Sequence, residues 1–184
     1  MIPAVILAAG SGRRMGGPKA LLCLGGETLL RRAARVALEA GCNPVLAVIG
    51  TWDPELEGLD VQCLVNPLAD EGMASSIRAG VAALPDGAEA VLLLTVDQPS
   101  VDASLLRRLM DLATTAPERP VACAYAGTLG VPAVIPRRLF TALQDLRGDR
   151  GAKAILLQED ALTLPFTGGE ADLDRPEDLA LFKR

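Results

Sequence analysis

The chain has 184 residues, half of them apolar but only 3% aromatic, and such a core of Ala, Val, Leu and Ile suits helices packed on a parallel sheet. Its formal net charge of −5 argues against a broad nucleic-acid footprint or an anionic membrane surface as partner. The sequence contains no histidine, which excludes Ser-His-Asp and Cys-His nucleophiles, imidazole metal ligands and an imidazole proton shuttle.

The first predicted element is a short strand at Ala4 to Leu7, which is wholly apolar and typical of a strand buried on both faces. The segment behind it is rich in glycine and cations: Gly10, Gly12, Arg13, Arg14, Gly16, Gly17 and Lys19. Glycine leaves backbone amides open to a phosphate oxygen, and open α/β sheets bind ligands beyond the carboxyl ends of their strands. This glycine loop is therefore predicted to hold a triphosphate.

Three other interpretations of the glycine loop compete with this one. A dinucleotide fingerprint needs an acidic residue at the end of the second strand, where this chain has Ile49, Gly50 and Thr51. A Walker-type loop needs Gly-Lys-Ser/Thr at a fixed spacing, and none follows here. A plain turn between a strand and a helix needs only glycine, and glycine clusters alone are weak signals. The attached cations favour the triphosphate interpretation.

An amphipathic helix is predicted next, with Thr28 as its N-cap and Gly41 as the residue that ends it. Two further buried strands follow, at Pro44 to Ile49 and at Val61 to Val65. The order of elements up to this point is strand, helix, strand, short loop and strand.

A second helix is predicted from Ser75 to Leu84, with Ile77, Val81 and Leu84 on one face. Ser75 and Ser76 lie in its first turn, where free amides and the helix dipole favour an anion or a polar ring. Ordinary helix capping by either serine remains an alternative.

The most apolar predicted strand, Ala90 to Val96, should be central, and it leads directly into Asp97. A carboxylate at the end of a central strand faces the same crevice as the glycine loop. Next to a triphosphate it would hold Mg²⁺, which needs only one or two carboxylates beside phosphate oxygens and water. The alternative role for Asp97 is a turn or cap before the helix predicted at Leu105 to Leu112.

The second half of the chain contains a predicted hairpin, with strands at Pro120 to Tyr125 and Val131 to Ile135. Their glycine-bearing connection, Ala126 to Gly130, indicates an antiparallel element beside the parallel sheet. Pro132 places the second strand at an edge or in a kink that faces a ligand. Short helices are predicted in PRRLFTALQDL and after the glycine-flanked Asp149, and a further strand at Leu162 to Phe166.

Near the C-terminus, alternation around Leu173 places Asp172 and Asp174 on the same side of an extended segment. Either could be a second metal ligand, or Asp174 could cap a last helix that begins at Pro176.

The four cysteines show neither zinc spacing nor a disulfide framework and are expected to be buried in a reducing compartment. With no apolar run near 18 residues and no signal-like start, a cytoplasmic protein is expected.

Five segments stand out together: LAAGSGRRMGGPK, the NP-x₄-GM-x-SSI-x₂-G stretch from Asn66 to Gly80, the DQP after the central strand, GDRGAK and DLDRPEDL. This combination, which spans Leu7 to Leu179, resembles the molybdenum cofactor cytidylyltransferases. These enzymes belong to a nucleotidyltransferase superfamily with a Rossmann-like, glycosyltransferase-A-type fold. The resemblance implies an α/β protein with one nucleotidyltransferase domain over residues 1–184, arranged as three α/β/α layers around a mostly parallel sheet.

The family implies transfer of CMP from CTP to the terminal phosphate of molybdopterin, with release of pyrophosphate and Mg²⁺ as cofactor. Guanylyltransferases of the superfamily tend to open LAGG with Asp before the lysine, so Ala8, Ala9 and Pro18 favour cytosine. The implied catalytic residues are Arg13, Lys19 and Asp97, and the implied metal ligands are Asp97 and Asp172. The implied nucleotide contacts are Leu7, Ala8, Ala9, Gly10, Ser11, Gly12, Arg13, Lys19, Asn66, Ser76 and Gly80. The implied acceptor contacts are Gln98, Pro99, Gly130 and Pro132.

The partners implied by the resemblance are CTP, a phosphorylated pterin and a molybdenum hydroxylase apoenzyme. Family members often have GHP followed by an aromatic residue where this chain has Gly130, Val131 and Pro132. Transfer of another nucleotide, or transfer to another phosphorylated acceptor, is therefore an alternative. A non-catalytic carrier that delivers a finished cofactor to a molybdenum hydroxylase would use the same cradle without Mg²⁺. An NAD(P) oxidoreductase is disfavoured by the missing ribose-binding acid.

Overall fold

A computed structural model describes residues 1–10, 12, 16–169, 173 and 178 of the chain. The strands among them are β1 Ala4–Leu7, β2 Cys23–Leu24, β3 Glu27–Thr28, β4 Val45–Ile49, β5 Gln62–Val65, β6 Ala90–Thr95, β7 Val121–Tyr125, β8 Thr128–Pro136 and β9 Leu162–Pro165. The helices are α1 Leu29–Ala40, α2 Met73–Ala82, α3 Ala103–Thr115, α4 Phe140–Gln144 and α5 Lys153–Gln158. Short 3-10 turns lie at Lys19–Leu21, Ala69–Glu71 and Arg137–Leu139.

Seven of the described strands form one sheet in the order β5-β4-β1-β6-β8-β7-β9, and β2 pairs with β3 in a separate ribbon. Strand β8 runs antiparallel to both β6 and β7, whereas the remaining pairs of the large sheet are parallel. The predicted mostly parallel sheet with an antiparallel element in the C-terminal half is confirmed. Strand β6 is the middle strand of the seven, as its apolar sequence indicates.

The sheet is buried between two layers of helices, because alternate side chains of each strand point to opposite faces. In β1, Ala4 and Ile6 join a cluster with apolar residues of α1 and α3, and Val5 and Leu7 join a second cluster with residues of α2, α4 and α5. This is the predicted three-layer α/β/α arrangement. Because β1 and β6 pair in parallel, the loops that follow them emerge side by side at one edge of the sheet.

The caps of α1 follow the predicted pattern, whereas two other capping predictions need correction. Helix α2 begins after Gly72 without a side-chain cap, so the alternative that Ser75 or Ser76 caps it is wrong. Thr28 caps α1 by accepting a hydrogen bond from the Arg31 amide at 3.2 Å, and Gly41 ends the helix in the left-handed region at a φ of 91°. The N-cap of α3 is Asp102, whose Oδ1 accepts from the Leu105 amide at 2.8 Å. The alternative role of Asp97 as the cap of this helix is therefore wrong.

The hairpin of β7 and β8 exists, but its turn is shorter than the sequence indicates. Ala126 and Gly127 form a two-residue turn with φ values of 49° and 71°, so β8 begins at Thr128. Because β8 lies between β6 and β7, the prediction that Pro132 marks an edge strand is wrong. The pairing register shifts where Pro132 lies, and at such an irregularity a residue without an amide hydrogen is tolerated.

The cysteines divide into two pairs. Cys42 and Cys123 are buried, and burial raises the pKa of their thiols to about 11 and about 12. Cys23 and Cys63 are exposed, so the prediction that all four are buried is wrong for these two. Across the described part of the chain, no helix has the length and apolar character needed to cross a membrane.

Candidate functional site

A cavity of about 580 Å³ opens at the carboxyl ends of β1 and β6 and beside the first turn of α2. Leu7 and Thr95, the last residues of these neighbouring parallel strands, are paired in register. The chain therefore leaves the sheet at two adjacent points that face one space, as in other open α/β sheets. The lining residues are Leu7, Ala8, Ala9, Gly10, Gly12, Lys19, Ala20, Ala69, Asp70, Gly72, Met73, Ser76, Thr95, Val96, Asp97 and Asp149.

Lys19 and Asp97 meet inside this cavity. The Lys19 ammonium lies 3.5 Å from Asp97 Oδ2, and the two side chains retain 21% and 29% of their exposure. Lys19 comes from the 3-10 turn behind the glycine loop, whereas Asp97 follows β6 at a sequence separation of 78 residues. A partly exposed ion pair contributes only about 0 to 1 kcal/mol, so a ligand can separate these charges at little cost.

The described part of the glycine loop shows why glycine is needed at Gly12. This residue has a φ of +57°, and a Cβ built on it would overlap the carbonyl of Gly17. A Cβ built on Gly10, by contrast, meets nothing within 4 Å. Gly10 therefore borders open space in the cavity, where a phosphate could approach the backbone closely. Ser11 and Arg13 lie outside the described residues.

Three buried polar side chains hold the first turn of α2 against the end of β5. Nδ2 of the Asn66 side chain donates to Ser75 Oγ at 2.9 Å and to Ser76 Oγ at 3.1 Å. Oδ1 of the same side chain accepts from the backbone amide of Leu68 at 3.0 Å. Ser75 donates in turn to the Gly72 carbonyl at 2.8 Å. Ser76 reaches the cavity, whereas Asn66 supports it from behind. Ser76 thus presents a hydroxyl whose oxygen already accepts from Asn66.

Gly80 lies one turn beyond Ser76 on the same face of α2, where the helix packs on the sheet, and it does not line the cavity. A Cβ on Gly80 would overlap the Cγ1 of Val5 and would lie 3.3 Å from the Cγ2 of Val48. The missing side chain allows α2 to pack closely on β1 and β4. Gly80 is therefore placed to shape the site through helix packing instead of through direct contact.

The four predicted acceptor residues lie away from the walls of this cavity. Gln98 is 6% exposed, and its Nε2 donates to the Gly169 carbonyl at 3.5 Å. The carbonyl of Pro99 accepts from Arg32 Nε at 3.1 Å. Gly130 lies against the Tyr125 ring, and Pro132 is buried within the sheet. Their assignment to the acceptor stays a prediction.

Sequence reasoning missed part of the cavity wall. Gly72 and Asp149 lie in contact there, because a Cβ on Gly72 would overlap both Asp149 Oδ1 and the Gly148 backbone. Asp149 is conspicuous in the sequence because glycines flank it, but no local pattern connects it with a helix that begins so far upstream. The other lining residues that were missed are Ala20, Ala69, Asp70, Met73, Thr95 and Val96.

An ion-pair cluster connects the surroundings of Lys19 with those of Asp97. Glu27 of β3 accepts from Arg35 in a bidentate pair, at 2.7 and 3.2 Å, and lies 3.5 Å from Arg32. The hydrogen bond from Arg35 lowers the pKa of Glu27 below its ordinary value. Arg32 also donates to the carbonyl of Pro99, just beyond Asp97. The ribbon after Lys19 and the turn after Asp97 are thus both fastened to α1.

The chemistry of Asp97 fits a hard divalent cation that is shared with a ligand. Within the described ranges, no group of three or more His, Cys, Asp or Glu residues could hold a metal ion. Mg²⁺ usually binds one or two carboxylates and completes its shell with phosphate oxygens and water, so such a cluster is not required. Asp172, the predicted partner, lies outside the described residues, although its neighbour Leu173 donates its amide to the Asp97 carbonyl at 2.9 Å.

Comparison with known proteins shows which family this chain resembles in sequence. Residues 4–162 match the family of MobA-like NTP transferase domains. The chain is 32% identical to a molybdenum cofactor guanylyltransferase of Rhodobacter capsulatus, over 97% of this chain and 93% of the relative. It is 35% identical to the nicotine blue oxidoreductase of Paenarthrobacter nicotinovorans, over 86% of this chain and 82% of that one.

A similar solved structure is that of Rv0371c from Mycobacterium tuberculosis H37Rv, with a TM-score of 0.82, 28% identity, and coverage of 98% of this chain and 97% of that chain. The same mycobacterial protein has been crystallised in complex with manganese, and that structure matches with a TM-score of 0.77 and 26% identity over 99% of this chain and 97% of that chain. A structural neighbour thus binds a divalent metal.

Proposed function

Because the chain belongs to the family of MobA-like NTP transferase domains, we propose that it transfers CMP from CTP to the terminal phosphate of molybdopterin and releases pyrophosphate. The observation that carries this proposal is the meeting of Lys19 and Asp97, 3.5 Å apart, in a cavity bordered by the glycine loop. The sequence Leu7-Ala8-Ala9-Gly10 and the Pro18 before Lys19 favour cytosine over guanine by resemblance to the cytidylyltransferases. We also propose that residues 1–184 form one such domain and that the reaction is cytoplasmic, which fits four unpaired cysteines.

The reaction needs no base to create its nucleophile, since a phosphate is already anionic at neutral pH. A terminal phosphate oxygen of the acceptor attacks the α-phosphorus of CTP, a new phosphorus–oxygen bond forms, and the bond to the bridging oxygen breaks. Pyrophosphate leaves with the bonding electron pair. Catalysis of this kind depends on positioning and on neutralisation of charge. A chain without histidine is suited to it.

In this proposal Lys19 neutralises the charge that builds up on the α-phosphate and on the leaving group. The backbone at Gly10 and Gly12 leaves room for the β- and γ-phosphates. We propose that the Ser76 hydroxyl, which accepts a hydrogen bond from Asn66, contacts the nucleotide at the start of α2. Asp97, with Asp172 as the proposed partner, would hold Mg²⁺, which when bound neutralises phosphate charge.

Replacement of either central charge tests the proposal. Loss of one preorganised charge contact costs about 2.7 to 4 kcal/mol, or about 10² to 10³ in turnover. We expect Lys19→Ala and Asp97→Asn each to release pyrophosphate from CTP and acceptor at least a hundredfold more slowly. Both variants should keep the wild-type far-ultraviolet circular dichroism spectrum.

Lys153→Ala and Asp145→Asn serve as matched controls, since these exposed residues do not line the cavity. Near-normal turnover in both central variants would remove the active-site assignment. A wild-type chain that binds nucleotide yet never forms pyrophosphate with any phosphorylated acceptor would favour the non-catalytic carrier. Release of pyrophosphate from GTP instead of CTP would support nucleotidyl transfer but would show that the donor nucleotide is GTP.

A further inference from the structure

Asp149 brings a second part of the chain to the cavity, separate from the elements that carry Lys19 and Asp97. It belongs to the loop between α4 and α5, and its Oδ1 lies directly over the backbone of Gly72, where a Cβ would overlap it. The amide of Ala74 donates to the Gly148 carbonyl at 3.0 Å. The Asp149 loop is therefore joined to the first turn of α2, next to Ser76.

Arg78 fixes this arrangement from the outer side of α2. Its guanidinium donates to the Leu146 carbonyl at 2.8 Å and forms an ion pair with Glu71 at 2.9 Å. The Gln144 side chain donates to the Arg78 carbonyl at 3.1 Å. One arginine thus holds together the two loops that form this wall of the cavity, which keeps the backbone that carries Asp149 close to α2.

The charge of Asp149 restricts what it can contact. Within the described part of the chain its carboxylate makes no ion pair, whereas the carboxylate of Asp97 is paired with Lys19. An unpaired carboxylate repels a triphosphate, so it suits an uncharged part of the nucleotide that carries hydrogen-bond donors.

The surroundings of Asp149 suit a flat ring. Ala69 and Met73 line the same wall of the cavity. Met73 packs near Gly151, where a Cβ would lie 3.1 Å from the Met73 sulfur, yet 43% of the Met73 surface remains exposed. Small-molecule pockets combine such apolar surface with a few polar groups that fix the orientation of the ligand. A nucleobase needs both features, whereas ribose hydroxyls need only the polar one.

We propose that the Asp149 carboxylate accepts a hydrogen bond from the exocyclic amino group of the donor nucleobase and so selects cytosine over uracil. This inference rests on the proposed function and extends it to a specificity-determining residue. Carboxylates are the usual acceptors for the amino group of cytosine, and a polar contact of this type discriminates by about 5- to 150-fold. Uracil presents a carbonyl oxygen at the same position, which a carboxylate repels.

The test compares the dissociation constants of CTP and UTP by calorimetry, without acceptor, for the wild type and for Asp149→Asn. We expect the wild type to prefer CTP, and we expect Asp149→Asn to reduce the preference by about 5- to 150-fold, because the amide can donate to uracil. Asp145→Asn removes the same charge at the end of α4, outside the cavity, and should leave the preference unchanged. Asp149→Ser provides a second variant if the asparagine variant does not fold.

The outcomes separate this inference from the proposed function. An unchanged CTP-to-UTP preference in both Asp149 variants, or an equal loss of affinity for both nucleotides, would overturn the assignment of Asp149 while pyrophosphate release could remain intact. A lost preference in a chain that forms no pyrophosphate would keep Asp149 as a base-reading residue and overturn the transferase. A wild-type chain that binds neither nucleotide would overturn both.

Discussion

At the scale of single residues, three glycines determine how closely the walls of the cavity approach one another. Gly12 allows the loop after β1 to fold back on Gly17, and Gly72 allows the Asp149 loop to reach α2. Gly80 allows α2 to pack against Val5. The atoms that exclude a Cβ belong to the same loop for Gly12, but to distant segments of the chain for Gly72 and Gly80. The need for glycine at these three positions is therefore explained by the atoms that pack against each one.

Gly80→Ala tests this interpretation, because close packing predicts that the substitution lowers the free energy of unfolding, whereas an unobstructed helix predicts that it raises it. Alanine in place of glycine inside an unobstructed helix stabilises by roughly 0.8 to 1 kcal/mol, whereas overpacking a core typically costs about 1 to 3 kcal/mol. Because the new methyl group would overlap Val5, we expect the free energy of unfolding to fall by about 1 to 3 kcal/mol. The measurement is the midpoint of urea unfolding.

Gly87→Ala is the matched control, since a Cβ there meets nothing within 4 Å. Its free energy of unfolding should stay within about 0.5 kcal/mol of the wild type. A Gly80→Ala protein more stable than the wild type would show that α2 does not need this close approach.

At the scale of elements, α1 fastens two pieces of the site together through Glu27 and its arginines. Glu27 of the β2–β3 ribbon pairs with Arg35, and the neighbouring Arg32 donates to the Pro99 carbonyl. The ribbon follows Lys19, and Pro99 follows Asp97. The helix thus connects the two segments whose charges meet in the cavity, although it contributes no residue to the cavity wall.

Glu27→Gln tests this connection through the pH dependence of the free energy of unfolding. The pKa of Glu27 is lowered in the folded protein, chiefly by the hydrogen bond from Arg35, so its stabilising effect is present above the ordinary value of 4.5. That effect is lost as the pH falls through the lowered value. We expect the variant to be less stable than the wild type at neutral pH, by about 1 kcal/mol or less, and the gap to close below pH of about 4.5.

Glu39→Gln provides the control, since Glu39 also pairs with Arg35 but is 50% exposed. Its effect should be smaller, and 1 M salt should reduce both effects. The difference is measured by denaturant unfolding over a range of pH values. A stability gap for Glu27→Gln that did not change with pH would contradict the role of the ionised carboxylate.

At the scale of the whole molecule, sheet order decides where ligands can bind. Strands β1 and β6 are neighbours although α1, β4, β5 and α2 lie between them in sequence. The crossovers bring the glycine loop, Asp97, the start of α2 and the Asp149 loop to one edge of the sheet. A ligand that contacts several of these segments stabilises the folded chain, because the unfolded chain cannot present them together.

A thermal-shift series with CTP, GTP, ATP and NADH, each with and without Mg²⁺, tests the donor and the metal together. A ligand at a hundred times its dissociation constant stabilises by about 2.7 kcal/mol, or about 5 to 11 °C for a chain of this size. We expect the largest shift for CTP with Mg²⁺. Asp97→Asn should lose the dependence on the metal.

The NADH arm is included because one relative is named as an oxidoreductase. A shift largest for NADH and independent of Mg²⁺ would contradict the transferase. A shift largest for GTP would move the donor to guanine, as in the relative from Rhodobacter capsulatus.

The sequence alone determined the seven strands of the large sheet, the described helices and the α1 caps, because these depend on residues only a few positions apart. It did not indicate the β2–β3 ribbon. The motif combination also indicated the nucleotidyltransferase family, which the match over residues 4–162 confirms. Local patterns failed where a partner is distant in sequence. They offered an edge strand as one of two positions for Pro132, buried all four cysteines and gave Asp149 no place in the site.

Only the tertiary structure decided which loops share the cavity. The contact of Asp149 with Gly72, the packing of Gly80 on Val5 and the meeting of Lys19 with Asp97 all depend on the crossovers between strands. Such contacts leave no periodic or capping signal, because each residue's immediate neighbours are compatible with many partners. The walls of the site follow from sheet order, and sheet order is set by the packing of the whole core.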